Sequence, residues 1–194
     1  MRHVPPEAAI DIGPVHRLST AEYHRLIEAD GFDEDARVEL IDGLLADISP
    51  KTRQHENAVA WLARWLMVGI DPERHELRVG SPLTLEQSEP EPDLAVISRD
   101  APRPYHPATA SLVIEVSVSS LQRDLARKPS LYATAGVDEY WVIDLSGRRA
   151  VTHRHPREAG YTEVAELLGG SELAPAGLDV GPVALDDLLR AAAA

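Results

Sequence analysis

The chain of 194 residues contains no cysteine, and aromatic residues make up only 5% of it. The absence of cysteine excludes disulfides, thiolate zinc sites and cysteine nucleophiles. Long apolar runs are also missing: none reaches the roughly 18 residues typical of a membrane-spanning helix, and the N-terminus lacks the apolar segment of a signal peptide. These absences predict a cytoplasmic protein without a membrane partner.

Basic residues are scarce relative to acidic ones. The chain has 19 Lys and Arg against 32 Asp and Glu, which gives a formal net charge of −13. Such a charge disfavours broad, non-specific binding to nucleic acid, because phosphate-binding surfaces are usually basic. A local basic patch, or divalent cations held by carboxylates, would still let a phosphate approach. The composition therefore restricts a nucleic-acid function to a local site.

The pattern of periodic segments predicts one domain over residues 18–190. A Pro-rich segment without periodicity, residues 1–17, is expected to be a poorly ordered leader, and residues 191–194 a tail. We find no internal repeat and no linker that would divide the chain further.

Helical and strand-like segments alternate along this domain. Ser19 and Glu22 form a capping-box pattern, which predicts a helix over residues 20–29, and Asp42-Gly43 predicts the turn of a hairpin over residues 37–48. The further expected elements are a helix opening at Ser49-Pro50, strands in HELRVG, SPLTLEQS, EPDLAVIS and SLVIEVS, a helix over 120–135, a strand over 138–145, a second hairpin at Ser146-Gly147 and a last amphipathic helix. This order predicts an α/β fold, a mixed β-sheet flanked by helices with an N-terminal helix and β-hairpin.

Two of the apolar strand candidates each carry a carboxylate. Asp93 opens EPDLAVIS and Glu115 lies inside SLVIEVS. Burial of such a group costs several kcal/mol unless a cation or hydrogen bonds offset it. Neighbouring strands, about 4.8 Å apart, can bring the two carboxylates together, and oxygen ligands suit Mg²⁺ or Mn²⁺. The alternatives are a turn role for Asp93 and a solvent-facing Glu115 on an edge strand.

Asp124 and Lys128 are spaced so that they share one face of a continuous helix. A surface ion pair is one interpretation, and an ammonium directed at a metal-bound phosphate is the other. Pro129 disfavours helical geometry at Lys128, so we expect a kink or a restart there.

Several other polar and aromatic residues have two interpretations. Glu39 is either an exposed hairpin residue or part of the site, and His55, near the start of the second helix, is expected to be a cap or surface residue. His153 and His155 share a strand face, but without a visible third ligand they are expected to be solvated. Aromatic side chains expected in the core, with base stacking as the alternative, are Trp61, Trp65, Tyr132, Tyr140 and Trp141.

The segments VELIDG, EPDLAVI and LVIEVSVSSLQRDLARKPSLYATAGVDEYWVIDL together resemble the Uma-two family of endonucleases, in the PD-(D/E)xK restriction-endonuclease-like superfamily. The resemblance covers roughly residues 18 to 190, and its specific part runs from Glu115 to Asp144. It implies a restriction-endonuclease-like core and divalent-metal-dependent cleavage of DNA.

Carried over by position, the resemblance implies that Asp93 and Glu115 bind Mg²⁺ or Mn²⁺, with the carbonyl of Val116 as a third ligand. Lys128 would then assist the attacking water. All three side chains would be catalytic.

Three further residues are implied to support them. Glu39 matches the acidic residue of the family's N-terminal segment, and Asp124 would orient Lys128. Ser117 stands at the position where the superfamily has its lysine. The resemblance implies that the lysine of this family lies on the following helix instead, at Lys128. Val118 is a second departure, interpreted as a change in helix capping.

Two functions follow from this pattern. The first is a Mg²⁺-dependent endonuclease that hydrolyses DNA phosphodiester bonds. The alternative, favoured by Ser117 and the net charge, is a catalytically inactive nuclease-fold domain that binds nucleic acid or a protein partner. A homodimer is expected for an enzyme that cuts two strands, since twofold symmetry is the common oligomer arrangement.

Overall fold

The computed structural model describes residues 14–33, 35–158 and 160–194; residues 1–13 of the expected leader lie outside them. The helices and strands are, in chain order, α1 (Thr20–Glu28), β1 (Val38–Ile41), β2 (Leu44–Asp47), α2 (Arg53–Gly69), β3 (His75–Val79), β4 (Leu94–Ser98), β5 (Leu112–Ser117), α3 (Leu121–Ala126), α4 (Lys128–Thr134), β6 (Glu139–Asp144), β7 (Arg149–Arg157), β8 (Gly160–Leu167), β9 (Glu172–Leu173), β10 (Val183–Ala184) and α5 (Leu185–Ala193). Within these ranges no helix is both long enough and apolar enough to span a membrane.

A six-stranded mixed sheet forms the centre of the molecule. Its order is β3-β4-β5-β6-β7-β8, which is also the order along the chain. β5 and β6 are parallel, and every other pair in this sheet is antiparallel. β5, the helices that follow it and β6 thus form a parallel strand-helix-strand unit, and the predicted α/β fold with a mixed sheet is confirmed.

Both faces of the central strands are covered. On one face, Leu62 of α2 and Leu188 of α5 belong to the same buried cluster as Ile114 of β5. On the other face, Tyr132 of α4 belongs to a cluster with Val113. Successive side chains of a strand alternate between the faces, so Glu115 lies on the face of Val113, under α4. A solvent-facing Glu115 is therefore ruled out, and its side chain is buried.

The N-terminal helix and hairpin form as predicted. Ser19 and Glu22 make both hydrogen bonds of the capping box at the start of α1. β1 pairs with β2 through a turn at Asp42 and Gly43, whose φ angles are 51° and 75°. Positive φ at both positions gives the turn a twist that matches the flanking strands. The backbone N–H of Glu89 donates to the carbonyl of Leu40 at 2.7 Å, which docks the hairpin beside the sheet.

Three elements outside the segment between β5 and β6 differ clearly from the sequence prediction. The helix expected at Ser49-Pro50 begins at Arg53, because the side chain of Thr52 accepts the N–H of His55 and caps it. The segment SPLTLEQS is not a strand: its N–H groups reach turn and loop carbonyls, such as Thr84 N–H to the carbonyl of Pro107 at 3.0 Å.

The third difference lies at the C-terminus. α5 extends to Ala193 and Ala192 is buried, so most of the expected tail at residues 191–194 is helical and packed. The division into a leader, a single domain and a tail otherwise stays a prediction.

Candidate active site

The sequence-predicted acids and the lysine line one cleft. β1, the residue before β4, β5 and the two helices after β5 each contribute a side chain, and the five charged residues at the centre of this cleft are Glu39, Asp93, Glu115, Asp124 and Lys128. All five are buried. Polar groups buried at such cost, converging from separate elements, are typical of a functional site.

Asp93 directly precedes β4 and is held through one oxygen. Its Oδ2 accepts the backbone N–H of Val116 at 2.9 Å and lies 2.9 Å from Nε2 of His55. Its Oδ1 has only a distant ion pair, 3.9 Å from Nζ of Lys51. The turn interpretation of Asp93 is too limited, because the residue connects β4, β5 and α2.

Glu115 is also bound through one oxygen. Nζ of Lys128 donates to its Oε1 at 2.7 Å, and the hydroxyl of Tyr132 donates to the same atom at 3.1 Å. Burial raises the pKa of Glu115 to about 8; the Lys128 ammonium opposes this rise, and the carboxylates of Asp124 and Asp93 add to it. A bound cation would favour the ionised form of this group.

Lys128 lies where the helix restarts. The predicted helix over 120–135 is two helices, and Lys128 begins the second with Pro129 beside it. Nζ of Lys128 lies 3.6 Å from Oε2 of Glu39 and 3.6 Å from Oδ1 of Asp124, in addition to its bond with Glu115. Its side chain is only 3% exposed, so the surface-pair interpretation is wrong.

The charge on Lys128 is stabilised by these carboxylates. Burial alone would lower its pKa, but Glu115, Glu39 and Asp124 together raise it above the ordinary value for lysine. Lys128 therefore stays protonated at neutral pH and acts as a fixed positive charge rather than as a base.

Ser117 and Asp124 form a second line of contacts behind the lysine. The hydroxyls of Ser117 and Ser120 donate to Oδ2 of Asp124 at 2.6 Å and 2.5 Å. Oδ1 of Asp124 is buried, receives no hydrogen bond from the described residues and faces Lys128 at 3.6 Å. Ser117 thus fixes the carboxylate that faces the lysine, although it stands where the superfamily pattern has a lysine.

Glu39 is buried, so the exposed-hairpin interpretation is wrong. Its Oε2 accepts the backbone N–H of Glu91 at 3.2 Å, and its Oε1 lies 3.4 Å from Nη1 of Arg123. Docking of the hairpin beside the sheet carries this side chain into the cleft, and the sequence pattern of the hairpin alone does not show that.

Two contacts of the cleft were missed in the sequence. Tyr132 was assigned to the core, where it lies, but its hydroxyl also bonds to Glu115. Arg123 lines the cleft through α3, and nothing in the sequence distinguished it from other surface arginines. His55 is buried on α2 and contacts Asp93, so the surface interpretation is wrong.

The other candidates lie outside the cleft. His153 is buried and its Nδ1 lies 3.1 Å from the carbonyl of Tyr140, whereas His155 is exposed, so His153 is not the solvated residue that was expected. The aromatic residues Tyr132, Tyr140 and Trp141 are buried as predicted, and Trp61 and Trp65 pack against the core.

The donor atoms of the cleft suit a hard divalent cation. Oδ1 of Asp93 and Oε2 of Glu115 receive no hydrogen bond from the described residues, and carboxylate oxygens are the ligands that Mg²⁺ prefers. The cleft does not form a cage of three carboxylates. Within residues 14–33, 35–158 and 160–194, only one group of three His, Asp or Glu side chains has its ligand atoms within 4.8 Å of one another. That group is His24, Glu89 and His106, outside the cleft. A cation at Asp93 and Glu115 would therefore keep backbone or water ligands, as Mg²⁺ usually does.

Comparison with known proteins identifies the family. The model of the Uma2 family, described as "Putative restriction endonuclease", matches residues 20–184. The chain belongs to the Uma2 family. The match spans the hairpin, the sheet and all five charged residues at the centre of the cleft, so the predicted family resemblance is confirmed. Uma2 membership supports a nuclease function, a nucleic-acid substrate and a need for a divalent metal.

A solved structure agrees with this Uma2 assignment at the level of the fold. It is described as "a putative nuclease belonging to DUF820 from Anabaena variabilis ATCC 29413", and it is 14% identical with a TM-score of 0.73. The likeness covers 90% of this chain and 99% of that one. No curated protein matches the chain.

Proposed function

We propose that this protein is a divalent-metal-dependent endonuclease that hydrolyses DNA phosphodiester bonds, with Asp93 and Glu115 as ligands of Mg²⁺ or Mn²⁺. The observation that carries the proposal is the position of Lys128: its ammonium lies 2.7 Å from Glu115 in the cleft that Asp93 also lines. The carbonyl of Val116 is the proposed third ligand. The backbone N–H of Val116 donates to Asp93, so the carbonyl of Val116 belongs to the stretch of β5 backbone that contacts Asp93.

When bound, the cation would activate water and stabilise charge on the phosphate. The side chains around it have separate roles. Lys128, held protonated by three carboxylates, would orient the attacking water and offset negative charge that develops on the phosphate. Asp124 positions Lys128, and Ser117 positions Asp124. Glu39 completes the set of acids around the ammonium.

The approach of a phosphate is supported locally, against the overall charge of −13. Lys51 and Arg123 also line the cleft, and each side chain is 29% exposed. Such groups offer the local positive charge that an acidic protein needs to hold a DNA strand at its site. Cutting of two strands by a homodimer stays a prediction.

The test is cleavage of supercoiled plasmid, linear duplex, single-stranded DNA and RNA with Mg²⁺ or Mn²⁺. Asp93→Asn keeps the shape of the side chain but removes its charge, so we expect cleavage to fall by at least about 10²-fold, the order typical for loss of one group that stabilises transition-state charge. Circular dichroism and melting would establish that the variant is folded.

Asp144→Asn is the matched control. Asp144 ends β6, is equally buried and binds Arg149 at 2.9 Å, but it does not line the cleft. Its variant should cleave at close to the normal rate. If Asp93→Asn cleaves as fast as the unaltered protein, the proposed metal site is wrong. If the folded protein cleaves none of the four substrates and also binds no Mn²⁺, the catalytically inactive nucleic-acid-binding or partner-binding domain becomes the better hypothesis.

A further inference from the structure

A second set of metal-binding side chains lies outside the cleft. His24 comes from α1, Glu89 from the segment between β3 and β4, and His106 from the loop between β4 and β5. They are called here the histidine cluster. Three distant parts of the chain thus bring two imidazoles and one carboxylate together. The proposed nuclease activity does not use these groups.

The distances within the histidine cluster are close to those of a metal site. Nε2 of His24 lies 2.6 Å from Oε2 of Glu89, and Nε2 of His106 lies 3.7 Å from Oε1 of the same residue. One ligand atom from each of the three residues lies within 4.8 Å of the other two, and ligands bound at about 2.0–2.1 Å in a tetrahedral site lie roughly 3.3 Å apart. A cation would draw together side chains that already converge.

A salt bridge between His24 and Glu89 explains only part of this arrangement. Both bonds that Glu89 accepts fall on Oε2, from His24 and from the hydroxyl of Thr84 at 2.8 Å. Oε1 receives no hydrogen bond from the described residues, although the side chain of Glu89 is only 3% exposed. The nitrogen that faces Oε1 is Nε2 of His106, and their separation of 3.7 Å is too long for a hydrogen bond. One carboxylate oxygen and one imidazole nitrogen thus face each other without a bond, and a shared cation would join them.

Neighbouring groups hold these ligands in place. The hydroxyl of Thr84 accepts the backbone N–H of His106 at 3.0 Å while it donates to Glu89, so one residue fixes two members of the histidine cluster. The ring of Tyr105 stacks on His24 at a centroid distance of 3.8 Å. Contacts of this kind behind the ligands are characteristic of metal sites, because they fix ligand orientation before the metal binds.

The solvent exposure of the cluster also suits a metal. The side chains of His24 and Glu89 are 11% and 3% exposed, whereas that of His106 is 32% exposed. This opening leaves a path for a cation and room for a water ligand.

We propose that His24, Glu89 and His106 bind Zn²⁺, with water as the fourth ligand. Two imidazoles and one carboxylate favour Zn²⁺ over the Mg²⁺ that suits the cleft. The bound ion would link α1 to the two segments that flank β4. It would stabilise the fold around the N-terminal helix, and it is independent of the proposed nuclease activity.

The test is calorimetric titration of chelator-treated protein with Zn²⁺, together with the absorption spectrum of the Co²⁺ form. We expect one tight Zn²⁺ site and a higher melting temperature with Zn²⁺. His106→Ala should weaken binding by more than about tenfold, since loss even of a partner behind a ligand costs about 10–100-fold. Glu89→Gln should weaken Zn²⁺ binding to a similar extent. Neither variant should change the rise in melting temperature that Mg²⁺ produces through the cleft.

Two controls separate this site from other places where Zn²⁺ could bind. His155→Ala removes an imidazole that is 65% exposed and outside the cluster, so it should leave Zn²⁺ affinity unchanged. Asp93→Asn removes a cleft ligand and should also retain tight Zn²⁺ binding. Equal Zn²⁺ affinity in folded His106→Ala, Glu89→Gln and unaltered protein would overturn the proposal. So would loss of Zn²⁺ binding in Asp93→Asn alone, or no binding by the unaltered protein at micromolar Zn²⁺.

Discussion

The cleft and the histidine cluster balance their charges in opposite ways. In the cleft, three carboxylates surround one buried ammonium, with Nζ of Lys128 within 3.6 Å of Glu115, Glu39 and Asp124. In the histidine cluster, a single carboxylate faces two imidazoles. The first arrangement offers carboxyl oxygens to a hard divalent cation, and the second offers nitrogen ligands to a softer one. The two sites are therefore expected to differ in metal, in proton release and in their contribution to stability.

The largest expected effect is on stability, through Lys128. In Lys128→Met the buried carboxylates lose their common partner, and removal of one side of a buried ion pair typically costs about 3–5 kcal/mol. His106→Ala, which removes a half-exposed side chain, should cost less than about 1 kcal/mol. Urea denaturation in the presence of a chelator measures both.

Divalent metal sharpens this comparison. A cation in the cleft would replace part of the lost positive charge, so excess Mn²⁺ should narrow the stability difference between Lys128→Met and the unaltered protein, whereas it should stabilise His106→Ala only as much as it stabilises the unaltered protein. A Lys128→Met variant as stable as the unaltered protein in chelator would show that the ammonium does not stabilise the acidic groups around it.

The cleft could be predicted because its signals are local in the sequence. Glu115 sits in an apolar strand, where alternation and helices on both faces leave it no route to solvent. Asp124 and Lys128 stand four residues apart, and Pro129 marks the restart that places the lysine. Each of these rules operates within one or two elements, so a single sequence is enough to apply it.

The histidine cluster has no such local signal. His24 and Glu89 are 65 residues apart, and Glu89 lies in a segment that was partly predicted as a strand. Their contact depends on how α1 packs against the segment between β3 and β4, which no periodicity reports. The same holds for Arg123 beside Glu39, a contact between α3 and the hairpin. Packing of loops and the docking of separate elements set the limit of what could be predicted.

An intermediate effect is expected in proton release. Burial raises the pKa of Glu115 to about 8 from an ordinary value of 4.5, so the folded protein holds a proton that the unfolded chain has lost. Between these values the contribution of Glu115 to stability falls as pH rises, and metal binding below pH 8 must displace the proton. Mn²⁺ affinity should therefore rise by up to about tenfold per pH unit between pH 6 and 8.

Calorimetry in buffers of different ionisation enthalpy measures this release. Mn²⁺ binding in the cleft should release close to one proton at pH 7. In the histidine cluster, His106 is already neutral at that pH because its pKa is lowered, so it should release almost none when Zn²⁺ binds. Mn²⁺ binding without proton release at pH 6 would mean that Glu115 is ionised before the metal arrives.

The smallest expected effect concerns the stack of Tyr105 on His24. Tyr105 is 50% exposed, and an aromatic pair contributes about 0.5–1.5 kcal/mol beyond the area that it buries. Tyr105→Ala should lower the melting temperature slightly and weaken Zn²⁺ binding, because His24 loses the ring that orients it. Tyr105→Phe keeps the ring and should behave like the unaltered protein in both measurements. If Tyr105→Ala weakens Mn²⁺ binding as much as Zn²⁺ binding, the two sites are coupled, and their separation into a hard-metal cleft and a histidine cluster is wrong.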